Sequence, residues 1–314
     1  MWYNRINHFK LFKNISLVNC FALLKHFNQL YLQTFFEGCS LTPPCPMKKK
    51  NPPMKEKQPP VIIAVVGRKG GVGKTTTSLN LSGELANRGY QVLLVDLDVQ
   101  GDATSALTRE EYSTSTGQVL LAGGGLLDAL VQTKLPTLWL LPTDDDLKPR
   151  SKELIAHRPD DFRFALRDVL AAEAGGFDFV VIDCPPSLED ITLIGLCAAT
   201  HYLAPALPSY FSLKSLNKLA ELTTLIQQEP GMNPNLRFIG LFFTDFNPRV
   251  RNTLHADIVA AANHLFPGQV MANVRTDKRL GDAQRDAIPA QLRTPDANAV
   301  ADFQLLTDEV LTRL

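Results

Sequence analysis

"VIIAVVGRKGGVGKTTTSLNLSGELANRG", residues 61–89, is the stretch that decides the fold. Its apolar opening predicts a buried strand, its glycine-rich middle a loop, and the run from Lys74 a helix over 74–88 that stops at Gly89. Strand, loop and helix in that order are the context a phosphate-binding loop requires. Glycines let backbone N–H groups converge on phosphate oxygens, and the helix N-terminus adds its partial positive charge. Lys74 would neutralise the β- and γ-phosphates, and Thr75 would offer its hydroxyl to Mg²⁺. The plain alternative is a glycine turn capped by ordinary helix residues, and the order of the three elements speaks against it. A phosphate loop needs one lysine, yet Lys69 stands on the same loop as Lys74.

Outward from this stretch, short apolar runs alternate with helical patterns. "QVLLVD" (91–96), "TLWLLP" (137–142), "FDFVVID" (177–183), "HYLAPAL" (201–207), "RFIGLFF" (237–243) and "GQVMANV" (268–274) read as strands. Helices are expected at 125–133, 160–173, 188–199, 212–228, 250–265 and 296–313. Near-continuous apolar strands imply burial on both faces, so residues 61–314 are expected to form one α/β domain. Its architecture would be a doubly wound, mostly parallel sheet with helices on both faces.

The bulk numbers bound the chemistry. In 314 residues, 32 basic groups balance 32 acidic ones, and 45% hydrophobic content supports a real core. The balance is uneven: residues 1–60 carry nine Lys/Arg and two Glu, leaving 23 basic and 30 acidic groups in the body. Nucleic acid would therefore be met by a local patch and not by an overall positive field. Cys20, Cys39, Cys45, Cys184 and Cys197 form no C-x-x-C pair and no metal spacing with histidine, which fits a reducing cytosol. No apolar run is long enough to span a membrane.

The first 46 residues hold six of the 17 Phe but one Ala and one Gly, unlike the rest. Residues 1–60 are read as a non-core extension: an added segment, a disordered tail, or a region upstream of the true start. Met47 and Met54, just ahead of the Lys/Pro-rich lead-in "MKKKNPPMKEKQPP", favour the last reading.

The strict pattern G-x-x-x-x-G-K-[ST] fails at Arg68. What matches is K-G-G-x-G-K-T-T, and here the chain resembles the ParA/MinD family of deviant P-loop ATPases. "VLLVDLDVQGDATSAL" (92–107) looks like that family's D-x-D-P-Q-G-N-A-T segment, and "FDFVVIDCPPSL" (177–188) like its D-x-P-P strand end. The resemblance implies an ATPase using ATP and Mg²⁺, with the nucleotide held by Lys69, Gly70, Gly71, Val72, Gly73, Lys74, Thr75 and Thr76. It assigns Mg²⁺ to Thr75 and Asp183, and orientation of the attacking water to Asp98. Lys69 would cross a dimer interface to the partner's nucleotide, so Lys69, Lys74 and Asp98 form the catalytic set. Val99 replaces the family's proline and Asp102 its asparagine. "NVRTDKRLGDA" stands where an Ile-Pro pair near the base is usual, so no adenine contact is assigned. Asp144–Asp146 reads as a solvated loop.

Within the family the small partition ATPases are the nearest likeness. That implies an ATP-dependent homodimer on nonspecific duplex DNA, a ParB-like adaptor and a cytoplasmic, nucleoid-associated protein. A membrane-positioning relative would need a basic amphipathic C-terminal helix. The ending "ADFQLLTDEVLTRL" carries three acidic residues and one Arg. Iron–sulfur relatives would need cysteines placed otherwise than Cys184 and Cys197. A relative that positions a cargo other than DNA stays open. The candidate phosphate contacts to DNA are Arg249, Arg251, Arg275, Lys278 and Arg279, in "FNPRVRNT" and "NVRTDKRL".

Overall fold

The computed structural model describes residues 59–246 and 253–314. The expectations on residues 1–58, and on Arg249 and Arg251, lie outside the described residues. The strands are β1 (Val61–Val65), β2 (Val92–Asp96), β3 (Val131–Gln132), β4 (Leu138–Leu141), β5 (Phe179–Asp183), β6 (His201–Ala206) and β7 (Arg237–Phe243). They form one sheet in the order β3-β4-β2-β5-β1-β6-β7. Every pairing is parallel except β3 with β4.

The strands are buried on both sides because their side chains alternate between two cores. Ala64, Leu93, Val95, Val180, Ile182 and Ala204 face one of them, and Ile63, Val65, Leu94, Val181 and Leu203 face the other. The second core is covered by α1 (Lys74–Asn87), α2 (Asp102–Leu107) and the last helix, α12 (Asn298–Arg313). The first is covered by α3 (Thr116–Ala122), α4 (Leu126–Ala129), α5 (Leu147–His157), α6 (Ala165–Glu173), α7 (Asp190–Ala198), α8 (Tyr210–Gln228) and α9 (Thr253–Leu265). Two short helices, α10 (Arg279–Arg285) and α11 (Ala290–Arg293), precede α12. Fully buried positions such as Leu94 would each cost about 2–5 kcal/mol on truncation to Ala. The doubly wound sheet is as expected.

Two local expectations fail, and a helix stands where none was expected. The helix placed over 125–133 is only α4, after which Val131 and Gln132 turn into the antiparallel strand β3 against Leu140 and Trp139. "GQVMANV" is no regular strand: it runs along β7 with an isolated bridge from Val270 to Leu241, and a second bridge joins Arg275 to Phe246 beyond the strand. There the Asn273 side chain, and not a backbone carbonyl, accepts the Phe243 N–H. The approach is close enough that a Cβ on Gly240 would lie 2.6 Å from the Gln269 carbonyl oxygen. That cover blunts the edge of the sheet. Finally, the Asp144–Asp146 loop leads directly into α5, which the sequence pattern missed because it buries only Leu147, Ser151 and Leu154.

Candidate active site

At the carboxyl ends of the central strands the register places Val65 beside Asp183 and Asp183 beside Asp96. The glycine loop leaves β1 here, and this is where ligands bind in open α/β sheets. Gly71 and Gly73 have φ of 73° and 83°, a left-handed backbone that glycine adopts without strain. The Gly73 carbonyl accepts from both the N–H and the hydroxyl of Thr77, at 2.8 and 2.6 Å. This opens α1 with its first N–H groups directed out of the helix end.

Lys74, the first residue of α1, is 6% exposed and its ammonium donates to the Lys69 carbonyl at 3.2 Å. Burial lowers its pKa, while the charges of Asp183 and Asp98 pull it back up. A buried ammonium facing the loop is suited to phosphate. Lys69, by contrast, is exposed, and its ammonium makes no hydrogen bond or ion pair among the described residues. Gly70 is exposed as well, Val72 is buried, and Thr75 and Thr76 are half-buried at the helix start.

Asp183 is wholly buried. One carboxylate oxygen accepts from the Ser78 hydroxyl at 2.8 Å, and the other, Oδ2, has no partner among the described residues. Burial pushes its pKa up to about 8, with the charge of Asp96 adding to the rise and the hydroxyls of Thr75 and Ser78 opposing it. An orphaned oxygen beside a helix-start threonine fits a hard cation such as Mg²⁺. The residues present therefore fit ATP with Mg²⁺. Mg²⁺ supplies charge neutralisation on the phosphate oxygens when bound.

Asp96 is also buried, with its pKa raised by burial to about 6. Its Oδ2 accepts from the N–H and hydroxyl of Thr104 at 2.8 and 2.7 Å, and its Oδ1 from the Asp98 N–H at 3.1 Å. Asp96 thus ties the turn carrying Asp98 to the start of α2. Asp98 is half-buried, and its Oδ1 accepts from the Gln100 N–H at 3.1 Å. Asp102 sits exposed in the first turn of α2, where a carboxylate suits the helix dipole, and Val99 packs at the margin of the first core. Ser78 and Thr104 are supporting residues that sequence reasoning missed. Each is an ordinary hydroxyl in the chain and gains meaning only from what it touches.

The structure brings Lys74, Thr75, Asp98 and Asp183 together, and of the DNA candidates it describes Arg275, Lys278 and Arg279. Arg275 is engaged by Asp302 at 2.7 Å, and Arg279 by Asp277 at 2.9 Å and Asp296 at 3.1 Å. Lys278 is exposed, with no carboxylate paired to it among the described residues. Cys184 and Cys197 are buried free thiols, and burial raises the pKa of both.

Comparison with known proteins meets this geometry from outside. A family model described as "AAA domain" matches residues 61–238. The chromosome partitioning protein ParA of Myxococcus xanthus is 38% identical over 211 residues, covering 67% of this chain and 72% of that protein. The chromosome-partitioning ATPase Soj of Thermus thermophilus is 36% identical over 254 residues, covering 80% of this chain and 96% of that one. The chain belongs to the ParA/MinD family of P-loop ATPases. Among solved structures, a cobyrinic acid a,c-diamide synthase from Mycobacterium smegmatis with bound ATP analog and magnesium is 30% identical. It superposes with a TM-score of 0.68 over 80% of this chain and 94% of its own. Like other ParA/MinD ATPases, the chain hydrolyses ATP with Mg²⁺ as cofactor. The match also covers the deviant loop, in which Arg68 takes the place of the usual first glycine.

Proposed function

We propose that this chain is a DNA-partition ATPase. ATP would close two copies into a sandwich dimer that binds duplex DNA without regard to sequence, and a ParB-like adaptor would trigger slow hydrolysis and release. The observation that carries the proposal is the contrast between the two loop lysines: Lys74 is buried against its own loop, whereas Lys69 stands exposed. A cation held outside its own site is suited to act on a neighbouring subunit's nucleotide. The surroundings support it, since α8 begins beside the loop with Tyr210 and Phe211 at 73% and 71% exposure. Exposed aromatics next to a charged loop are what an association surface carries.

In this reading Lys74, the loop from Gly70 to Gly73, Thr75 and Thr76 bind nucleotide. Thr75 and Asp183 hold Mg²⁺, and Asp98 orients water. Phosphate contacts to DNA would fall to Arg249, Arg251 and Lys278 first, because Arg275 and Arg279 already neutralise carboxylates. A membrane role is disfavoured by α12, whose apolar residues Ala299, Val300, Phe303, Leu306 and Val310 are buried in the second core. Among the described residues no helix is long and apolar enough to cross a membrane. The reading places the protein in the cytoplasm on the nucleoid.

The test is binding to sequence-unrelated duplex DNA and to anionic liposomes, each with ATP, ADP or no nucleotide. ATP-dependent retention on DNA alone is the expected result. Retention on liposomes, or on neither, would overturn the DNA reading in favour of another cargo.

A further inference from the structure

The loop that binds nucleotide is tied to the far side of the sheet by one side chain. Thr244, the residue after β7, extends the ladder by donating its N–H to the Ala206 carbonyl at 2.8 Å. Its hydroxyl lies 2.9 Å from the Val72 carbonyl oxygen and 3.4 Å from that of Ala206, so its single proton goes to Val72. Thr244 is 9% exposed, and its methyl group lies 3.0 Å from where a Cβ on Gly73 would stand. One residue therefore makes two contacts with the same peptide unit: a hydrogen bond to its carbonyl and a steric wall against its glycine.

We propose that Thr244 is a positioning residue for nucleotide binding, acting by fixing the orientation of the Val72–Gly73 peptide. A trans peptide is planar, with C=O and N–H pointing to opposite sides. Drawing the Val72 oxygen toward Thr244 aims the Gly73 N–H the other way, into the concave side of the loop. The next peptide is fixed similarly, since the Gly73 carbonyl is held by Thr77 at the start of α1. The arrangement spares the binding step the cost of ordering a glycine, the residue with the most backbone freedom to lose. Without the hydroxyl, the peptide can flip. A flipped peptide would present a carbonyl oxygen to the phosphates in place of a donor. Thr244 lies 172 positions from Val72, so the contact exists only in the folded sheet.

The inference rests on the ATP site described above. The experiment therefore measures ATP and ADP affinity of the full chain by titration with a fluorescent nucleotide, with Lys74→Ala as the non-binding reference. Thr244→Val keeps shape and removes the hydroxyl, while Thr244→Ser keeps the hydroxyl and removes the methyl. Expected are a loss of about tenfold or more in affinity and a matching rise in KM for ATP in Thr244→Val, with kcat within about threefold. Thr244→Ser should recover most of the affinity. Wild-type affinity in Thr244→Val, or an equal loss in both variants, overturns the proposal. If Thr244→Val does not fold, Thr244→Ala against Thr244→Ser decides in the same way. A role confined to stability would lower the melting temperature and leave KM of the folded protein unchanged. Failure of the wild type itself to bind ATP would overturn the site reading instead, which keeps the two failures apart.

Discussion

Asp96 and Asp183 are register partners on neighbouring parallel strands, both buried at the carboxyl end of the sheet with no cation side chain among the described residues hydrogen-bonded to either. Two carboxylates so placed resist ionising together. Asp183 takes most of the penalty, because Asp96 accepts from three donors and Asp183, among the described residues, from the Ser78 hydroxyl alone. The Lys74 ammonium interacts with Asp183 but forms no hydrogen bond to it, so the charge of the pair is only partly offset.

That partial offset makes a pH prediction. Asp183 has a folded pKa of about 8, above its ordinary 3.8, so its contribution to stability is fully present below pH 4 and is lost as pH rises through 8. Asp96 acts in the same direction, with its part lost through about 6. The nucleotide-free protein should therefore melt at falling temperature between pH 5 and 8.5. Asp183→Asn should flatten the slope and gain on the order of a few kcal/mol at the alkaline end, while weakening the Mg²⁺ dependence of ATP binding. Parallel melting curves for the two proteins would show that the pair is not the source.

The strand, loop and helix of residues 61–89 were legible because each states itself locally: an apolar run, glycines, then helical periodicity. The carboxylates were legible as strand ends. What sequence could not show was mutual support. α2 has six residues and α11 four, too short for periodicity to register, and both are held by tertiary contacts such as Thr104 on Asp96 and Gln291 on the Asn80 carbonyl. Arg275 looked like an available cation, because the carboxylate at position 302 is brought to it only by folding; the partner of Arg279, Asp277, stands two residues before it in the sequence.

Asp98 is held at its backbone by Asp96 and Gly101, so removing its side chain takes from the turn only the bond to the Gln100 N–H. Asp98→Ala is expected to bind ATP and dimerise normally while kcat falls by about 100-fold or more, trapping the DNA-bound form. Single-turnover hydrolysis checks this directly, and wild-type rates would remove Asp98 from the mechanism.

Contacts with DNA should reveal themselves in salt. Replacing Arg249 and Arg251 together should weaken binding equally across unrelated sequences and flatten the plot of log K against log salt by about one unit per lost contact. Arg275→Ala should leave that slope nearly unchanged and lower stability instead, because its guanidinium is bound to Asp302. A steep slope retained by the double variant would move the DNA surface elsewhere.

The two loop lysines separate by partner. Lys74 faces its own loop, so Lys74→Ala should abolish ATP binding in the monomer. Lys69 is exposed, and Lys69→Ala should leave monomeric ATP affinity within about threefold while ATP-dependent dimerisation is lost and hydrolysis falls on the order of 10³-fold. Mixing Lys69→Ala with Asp98→Ala subunits decides whether the lysine acts across the interface. In a two-fold dimer the Lys69→Ala subunit keeps its own Asp98 and receives Lys69 from its partner, so one site of the pair is complete and the other lacks both groups. Activity of about half the wild-type rate per heterodimer is expected, with neither parent active alone. Heterodimers verified by differential tagging that stay as inactive as either parent would place Lys69 in its own subunit, and the sandwich arrangement would lose its support.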